Sequence, residues 1–266
     1  MGGSLGMAIK KHELAKEVVG LSQKQSSLMQ AIQSGAIDIA ETDVANAVKN
    51  ADLIVLAAPV ESIVQLLSRM SKFIRRGCII TDLGSAKTTI VEEAEKVLPI
   101  PGFFVGSHPL VGSEKTGVAN ARADLFDKAV CIMTPTETTN QVAKEKVKHL
   151  WAKLGAEVKV MTPQQHDEAL AYISHLPHVL AYGVMNTMPK DFLALAPQSL
   201  KDMTRIASSA PQMWSDICLA NSRNLTKSLD EMVHHLAEMR RGIIAGNKND
   251  LMQKFTEAKE KRDTII

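Results

Sequence analysis

Through residue 160 the chain alternates short apolar runs with helical stretches, and this alternation limits the possible folds more than any other feature. The runs fall at residues 18–21, 53–56, 78–81, 103–105, 130–133 and 158–160. They are brief, rich in β-branched residues and apolar at successive positions, as in parallel strands buried on both faces. Between them, segments such as 61–73 and 141–154 carry apolar residues at helical spacing. Strand–helix–strand repetition of this kind predicts a doubly wound α/β sheet. After Thr162-Pro163 the texture changes. Apolar residues recur at intervals of three and four, as in Leu225, Leu229, Met232 and Leu236, and no convincing strand remains. Residues 1–162 are thus expected to form a dinucleotide-binding domain, and 163–266 an all-helical substrate and dimerisation domain with a loop near 189–199. Wide apolar helix faces need a partner surface, so a homodimer through this half is expected.

Composition narrows the function classes. With 45% hydrophobic residues the chain has material for a core and is not disordered. The 31 Lys and Arg balance 29 Asp and Glu without a basic block, which argues against a nucleic-acid partner and leaves room for a small anionic ligand. No run approaches the roughly 18 apolar residues of a membrane span, and no secretory signal pattern opens the chain. Cys78, Cys131 and Cys218 lie far apart, which argues against a disulfide framework or a structural zinc site and for a cytoplasmic location.

The chain opens Gly2-Gly3-Ser4-Leu5-Gly6 and runs into an expected helix at 7–11. Small residues opening a helix can cradle a phosphate, because free N–H groups and the helix dipole favour an anion there. In the dinucleotide fingerprint, Gly2 takes the place of the third glycine and 17–21 that of the second strand, which puts the first strand and two glycines before Met1. Two expectations follow: a sheet without its first strand, exposing two strand edges and binding cofactor poorly, or a native protein with roughly ten more residues. Gly2, Gly3, Ser4 and Leu5 are the candidate pyrophosphate residues. After the second strand, Ser22 and Gln23 bring no carboxylate against a 2′-phosphate and Lys24 can pair with one, so NADP+ is favoured over NAD+.

Three local patterns carry chemistry. In Thr81-Asp82-Leu83-Gly84-Ser85-Ala86-Lys87, Ser85 and Lys87 follow a strand at the end where open α/β sheets bind ligands, although Ser85 is equally suited to capping a helix. His108, in Gly106-Ser107-His108-Pro109, is read on a turn, where a neutral imidazole can take a proton from a hydroxyl. His175 and His178, in Ser174-His175-Leu176-Pro177-His178, share a helix face and suit substrate contact, a satisfied core or, lacking a third ligand nearby, less readily a metal. No metal site is expected. His234, His235, His12, His149 and His166 have no supporting motif. Asp202 and Arg205 are spaced either as an exposed pair worth a few tenths of a kcal/mol or as a buried pair that aims a guanidinium at a carboxylate.

Together these segments resemble the prephenate/arogenate dehydrogenase family. The resemblance rests on the GGSLG start, ADLIVLAAPV, TDLGSAK, GSHPLVGSEKTG, HDEALAYISHLPHVLA and KDMTRIASSAPQMW, in family order from Met1 almost to the C-terminus. It implies oxidative decarboxylation of a cyclohexadienyl acid towards tyrosine, with hydride passing to NAD(P)+. It also implies His108 as the base and Ser85 as a bridge to the reacting hydroxyl. Arg205, braced by Asp202, would hold a substrate carboxylate. His178 and His175 would contact the substrate, Glu114 would stand at the pocket mouth and Trp214 would wall the site. Ala57, Ala58 and Pro59 would line the nicotinamide pocket. Three other outcomes stay open: arogenate as substrate, a β-hydroxyacid dehydrogenase (which generally uses a lysine not found beside SHLPH), and a non-catalytic remnant or truncated member of the family.

Overall fold

A computed structural model describes residues 1–111 and 117–265. The elements run α1 (Gly2–Lys11), β1 (Val19–Leu21), α2 (Gln25–Gln33), β2 (Ile39–Glu41), α3 (Val44–Val48), β3 (Leu53–Leu56), α4 (Val60–Met70), β4 (Ile79–Asp82), α5 (Thr88–Val97), β5 (Phe104–Pro109), β6 (Val130–Thr134), α6 (Gln141–Lys153) and β7 (Glu157–Val160). Then come α7 (Pro163–Leu170), α8 (Leu176–Thr187), α9 (Gln198–Thr204), α10 (Pro211–Ala220), α11 (Ser222–Ile244) and α12 (Lys248–Asp263). The alternation and the later all-helical texture are as the sequence predicts. The short strand β2 escapes the apolar-run criterion because two of its three residues are exposed.

The strands form two separate sheets. β1 pairs with β2 in parallel, and a five-stranded sheet has the order β3-β4-β5-β6-β7. No ladder joins β1 to β3 among the described residues. The all-parallel expectation needs one correction, since β5 and β6 are antiparallel. The described residues of the segment joining them form no long crossover helix, which a parallel connection requires.

Helices cover both faces of the larger sheet. On one face Val60, Ile63 and Leu67 of α4 and Ile90 and Ala94 of α5 pack on Ile54, Leu56 and Ile80. On the other, Leu5, Ala8 and Ile9 of α1 join Val147 and Trp151 of α6 against Ile79, Val105, Cys131 and Met133. Helix α1 begins at Gly2 rather than at 7, and the small residues of its first turns explain this. Gly6 lies so close to the Ala36 carbonyl that any Cβ would collide with it, and a Cβ on Gly2 would lie 3.0 Å from that of Ala57. The glycine-rich start is therefore a tightly packed helical turn.

Two compact units divide the chain, Met1–Ser222 and Arg223–Ile266. Within the first, α7 continues without a break into a π-helical turn, Ala171–His175, and then α8. Short 3₁₀ turns at Lys190–Leu195 and Arg205–Ser208 separate the later helices, the first lying in the expected loop. No described helix is long and apolar enough to cross a membrane.

Candidate active site

His108 lies on β5 and is 7% exposed. It belongs to a strand, not the turn expected from its Gly, Ser and Pro neighbours. Its Nδ1 is 2.9 Å from Nε2 of His166, and Nδ1 of His166 is 2.8 Å from Oδ1 of Asp167. Both residues come from α7, whose start is fixed by a capping box between Thr162 and Gln165 with Pro163 in the first turn. Asp167 also accepts the backbone N–H groups of Lys87 (2.7 Å) and Thr88 (2.9 Å), which cap α5. One carboxylate thus orients a histidine and closes a helix. Ser85 does not cap α5; it stands half-buried in the turn after β4, with its backbone against the His175 ring.

Sequence reasoning missed His166, Asp167 and Asn221. His166 and Asp167 sit in the quoted HDEALAYISHLPHVLA segment, but a lone His-Asp pair has no spacing signature, and only α7 docking against β5 gives it meaning. Asn221 is 4% exposed and donates from Nδ2 to the Asp167 carbonyl (2.7 Å), with His175 Nδ1 at 3.1 Å.

Polarity follows from which atoms can donate. An ionised Asp167 only accepts, so His166 carries its proton on Nδ1 and presents Nε2 as an acceptor. His108 must then donate from Nδ1, which leaves the lone pair on Nε2. That atom meets no hydrogen-bond partner among the described residues. Burial works to raise the Asp167 carboxyl, but bonds from His166, Thr88 and Lys87 outweigh it and hold the group below its usual range. Burial first, then the charges of His166, Lys87 and His175, push His108 well below the ordinary imidazole value. His108 is therefore neutral near pH 7, in the form that accepts a proton.

The remaining predicted residues divide clearly. His178 stacks on Trp214 with centroids 3.5 Å apart, and its Nδ1–H donates to the Ser174 carbonyl (2.9 Å). Burial, then the Arg205 charge acting against the Ser174 bond, lowers the His178 value, so the guanidinium lies within electrostatic reach. The rings of His175 and Trp214 meet edge to face at 6.1 Å. His108, His175, Trp214, His178 and Arg205 are thus neighbours in series, with Ser85 beside His175. Asp202 and Arg205 are both exposed, and Asp202 accepts from Gln198 (2.8 Å). Glu114 lies outside the described residues.

Of the cofactor candidates, Gly2 lies against Ala57, which brings the start of α1 to the C-terminal end of β3, where Ala58 and Pro59 follow. The first helical bond is Leu5 N–H to the Met1 carbonyl, so the N–H groups of Gly2, Gly3 and Ser4 precede the ladder. The side chains of Ser4 and Leu5 are both buried, and the Ser4 hydroxyl accepts from Arg122 N–H (3.0 Å). Ser22, Gln23 and Lys24 follow β1, with Ser22 Oγ accepting from Lys24 N–H and Gln23 donating to the Thr42 carbonyl. Lys87 is the clearest correction. Its ammonium is fully buried, paired with Asp82 and bonded to the Ser107 carbonyl (3.0 Å), so it does not face a ligand.

Comparison with known proteins adds independent findings. Residues 5–160 match the family described as prephenate dehydrogenase, nucleotide-binding domain, and 162–257 match prephenate dehydrogenase, dimerization domain. The chain is 34% identical to a prephenate dehydrogenase of Bacillus subtilis, over all of this chain and 73% of that one. It is 32% identical to a cyclohexadienyl dehydrogenase of Zymomonas mobilis, over 83% of this chain and 77% of that one. Among solved structures, prephenate dehydrogenase from Aquifex aeolicus in complex with hydroxyphenyl propionate and NAD+ superposes with a TM-score of 0.93 at 30% identity, covering all of this chain and 95% of the other. Arogenate dehydrogenase of Synechocystis gives 0.82 at 27% identity, covering all of this chain and 96% of the other.

Proposed function

The chain belongs to the prephenate dehydrogenase family, and on that premise we propose that His108 is the base in an oxidative decarboxylation of prephenate to 4-hydroxyphenylpyruvate. The enzyme is an NAD(P)-dependent oxidoreductase of tyrosine biosynthesis. One observation supports the assignment of the base above all others: the Asp167–His166–His108 chain, which leaves an unprotonated Nε2 on a buried, neutral ring.

His108 Nε2 takes the proton of the ring hydroxyl as the carbon bearing it is oxidised. The Nδ1–H bond to His166 persists throughout, so the new positive charge forms on a ring already anchored towards Asp167. Ser85 bridges the hydroxyl and His108 from the turn after β4. Arg205 holds a carboxylate of the dianionic substrate as a fork, a role a point charge fills less well. His178 and Trp214 wall the ring, and His175 contacts the substrate from the helical side. Departure of carbon dioxide makes the ring aromatic and draws the reaction forward.

The dinucleotide fits the start of α1, where the unladdered N–H groups of Gly2, Gly3 and Ser4 meet a pyrophosphate. Ala57, Ala58 and Pro59 line the nicotinamide side, and Ser22, Gln23 and Lys24 the ribose side. When bound, the nicotinamide accepts the hydride. NADP+ is preferred over NAD+, a reading supported by the absence of a carboxylate at positions 22–24. The functional boundary lies between 162 and 163, the enzyme acts as a homodimer through its helical half, and it works in the cytoplasm, in keeping with its three free cysteines.

A steady-state assay with prephenate and arogenate, each with NAD+ and NADP+, tests these assignments. The highest kcat/KM is expected for prephenate with NADP+. A higher value with arogenate overturns the substrate assignment, and one with NAD+ overturns the cofactor preference.

A further inference from the structure

Asn221 ends α10, and its amide sits between two acceptors. The Asp167 carbonyl can only accept, so the Asn221 atom 2.7 Å from it must be the NH2 group. That group has a second hydrogen, and His175 Nδ1 lies 3.1 Å from the same nitrogen. Nδ1 of His175 is thereby an acceptor, and a neutral ring in that state carries its proton on Nε2. Nε2 is buried with no partner at bonding geometry; the Ser85 backbone, near enough to favour a proton on the ring, and Trp214 at its edge are its neighbours. A buried donor without an acceptor is rare in a folded protein unless a ligand supplies one.

We propose that Asn221 is a positioning residue that holds His175 as the Nε2–H tautomer, so that the ring donates a hydrogen bond to an oxygen acceptor on the bound substrate. This rests on the dehydrogenase reading of the site. His108 and His175 then carry opposite tautomers. His108 presents a lone pair on Nε2 and accepts a proton; His175 presents N–H on Nε2 and donates a hydrogen bond. Asp167 links the two, through its carboxylate to His166 and His108 and through its carbonyl to Asn221 and His175. Burial supports a neutral His175, lowering its value to about 4.

The test uses the full chain labelled with 15N-histidine, with His175 assigned by the signal lost in His175→Gln. At neutral pH the wild-type ring is expected to show an unprotonated Nδ1 and a protonated Nε2. Asn221→Ala should give a mixture of tautomers. Asn221→Asp keeps the shape of the side chain but turns an acceptor towards Nδ1, so the proton should move there; it serves as the second variant if Asn221→Ala does not fold. In Asn221→Asp the KM for prephenate should rise about tenfold, as expected for one lost hydrogen bond, with cofactor KM unchanged. A wild-type ring protonated on Nδ1, or a tautomer unmoved in Asn221→Asp, overturns the role of Asn221. A shifted tautomer with unchanged KM overturns the substrate contact. Wild-type protein inactive on prephenate overturns the dehydrogenase reading, while the spectra still decide what Asn221 does.

Discussion

At the scale of single residues, the consequence of the Asp167–His166–His108 chain is that the protonation state of His108, the proposed base, is set by hydrogen-bond polarity and burial together. His108→Ala should lower kcat by about 10²–10⁴-fold, the range of a positioned base, and leave cofactor affinity measured calorimetrically unchanged. Turnover close to wild type would rule out His108 as the base. The pH dependence has a definite sign. An ordinary imidazole titrates near 6.5, but the buried His108 is pushed well below that, so it stays a base as pH falls through 6.5. The acid limb of kcat/KM should therefore begin well under 6.5, and a midpoint at or above it would contradict this environment. The same depression has a stability counterpart at His175. Its folded value near 4 means the neutral ring contributes fully above about 6.5, and that contribution is lost as pH falls from there through 4. The melting temperature should drop over that window, less so in His175→Gln. Arg205→Ala should chiefly raise KM, with Arg205→Lys a partial rescue at best.

Whole elements are held in register by two buried carboxylates. Asp167 caps α5 through two N–H groups although it belongs to α7, so Asp167→Ala removes a cap and His166's acceptor in one step. Loss of the cap alone should destabilise the fold by about 0.5–2 kcal/mol in chemical denaturation, and kcat should fall with it. Asp167→Ala protein of unchanged stability would show that the cap contributes nothing. Asp82, paired with Lys87, accepts the N–H groups of Gly84 (2.8 Å) and Ser107 (3.1 Å), tying the Ser85 turn to the strand that carries His108. Both side chains are fully buried, so Lys87→Met leaves an uncompensated carboxylate and should cost about 3–5 kcal/mol. These links also mark what the sequence could disclose. Strand-type runs, the change of texture after 162 and the motifs that carry His108, His175, His178 and Trp214 were legible, because periodicity and local motifs are properties of neighbouring residues. Lys87 was misread because a lysine after a strand reads as a ligand group unless its buried partner, five residues earlier, is seen to face it. His166, Asp167 and Asn221 stayed hidden for the same reason: their partners at 108, 87–88 and 175 are distant in sequence, and only docked helices bring them within bonding distance.

For the molecule as a whole, the Arg223–Ile266 unit raises a question of burial. Its helices α11 and α12 pack closely where Gly242 meets Leu251, at 3.1 Å from an ideal Cβ, and Lys254 reaches Glu238 and Asp250 at 3.7 and 3.4 Å. Yet Val233, Leu236, Ile243, Ile244, Met252 and Phe255 are each more than half exposed, and the buried residues of α11 are only Leu225, Ser228 and Gly242. Six large apolar side chains in one small unit make a patch that soluble monomers seldom show. The region matches a dimerization domain, and a second copy of the same surface is the partner that twofold symmetry supplies. Burying each such side chain contributes about 1.5–3 kcal/mol, and a twofold interface carries each substitution twice, so charges at two positions should remove about 6–12 kcal/mol, comparable to the roughly 8–12 kcal/mol of micromolar to nanomolar association. Val233→Glu with Leu236→Glu is therefore expected to convert a dimer to a monomer in sedimentation velocity and to remove the concentration dependence of the melting temperature. Since His108, His166 and Asp167 lie in the Met1–Ser222 unit, the monomer should keep the His108 tautomer seen by 15N spectra. A double variant that still sediments as a dimer would exclude Val233 and Leu236 from the interface.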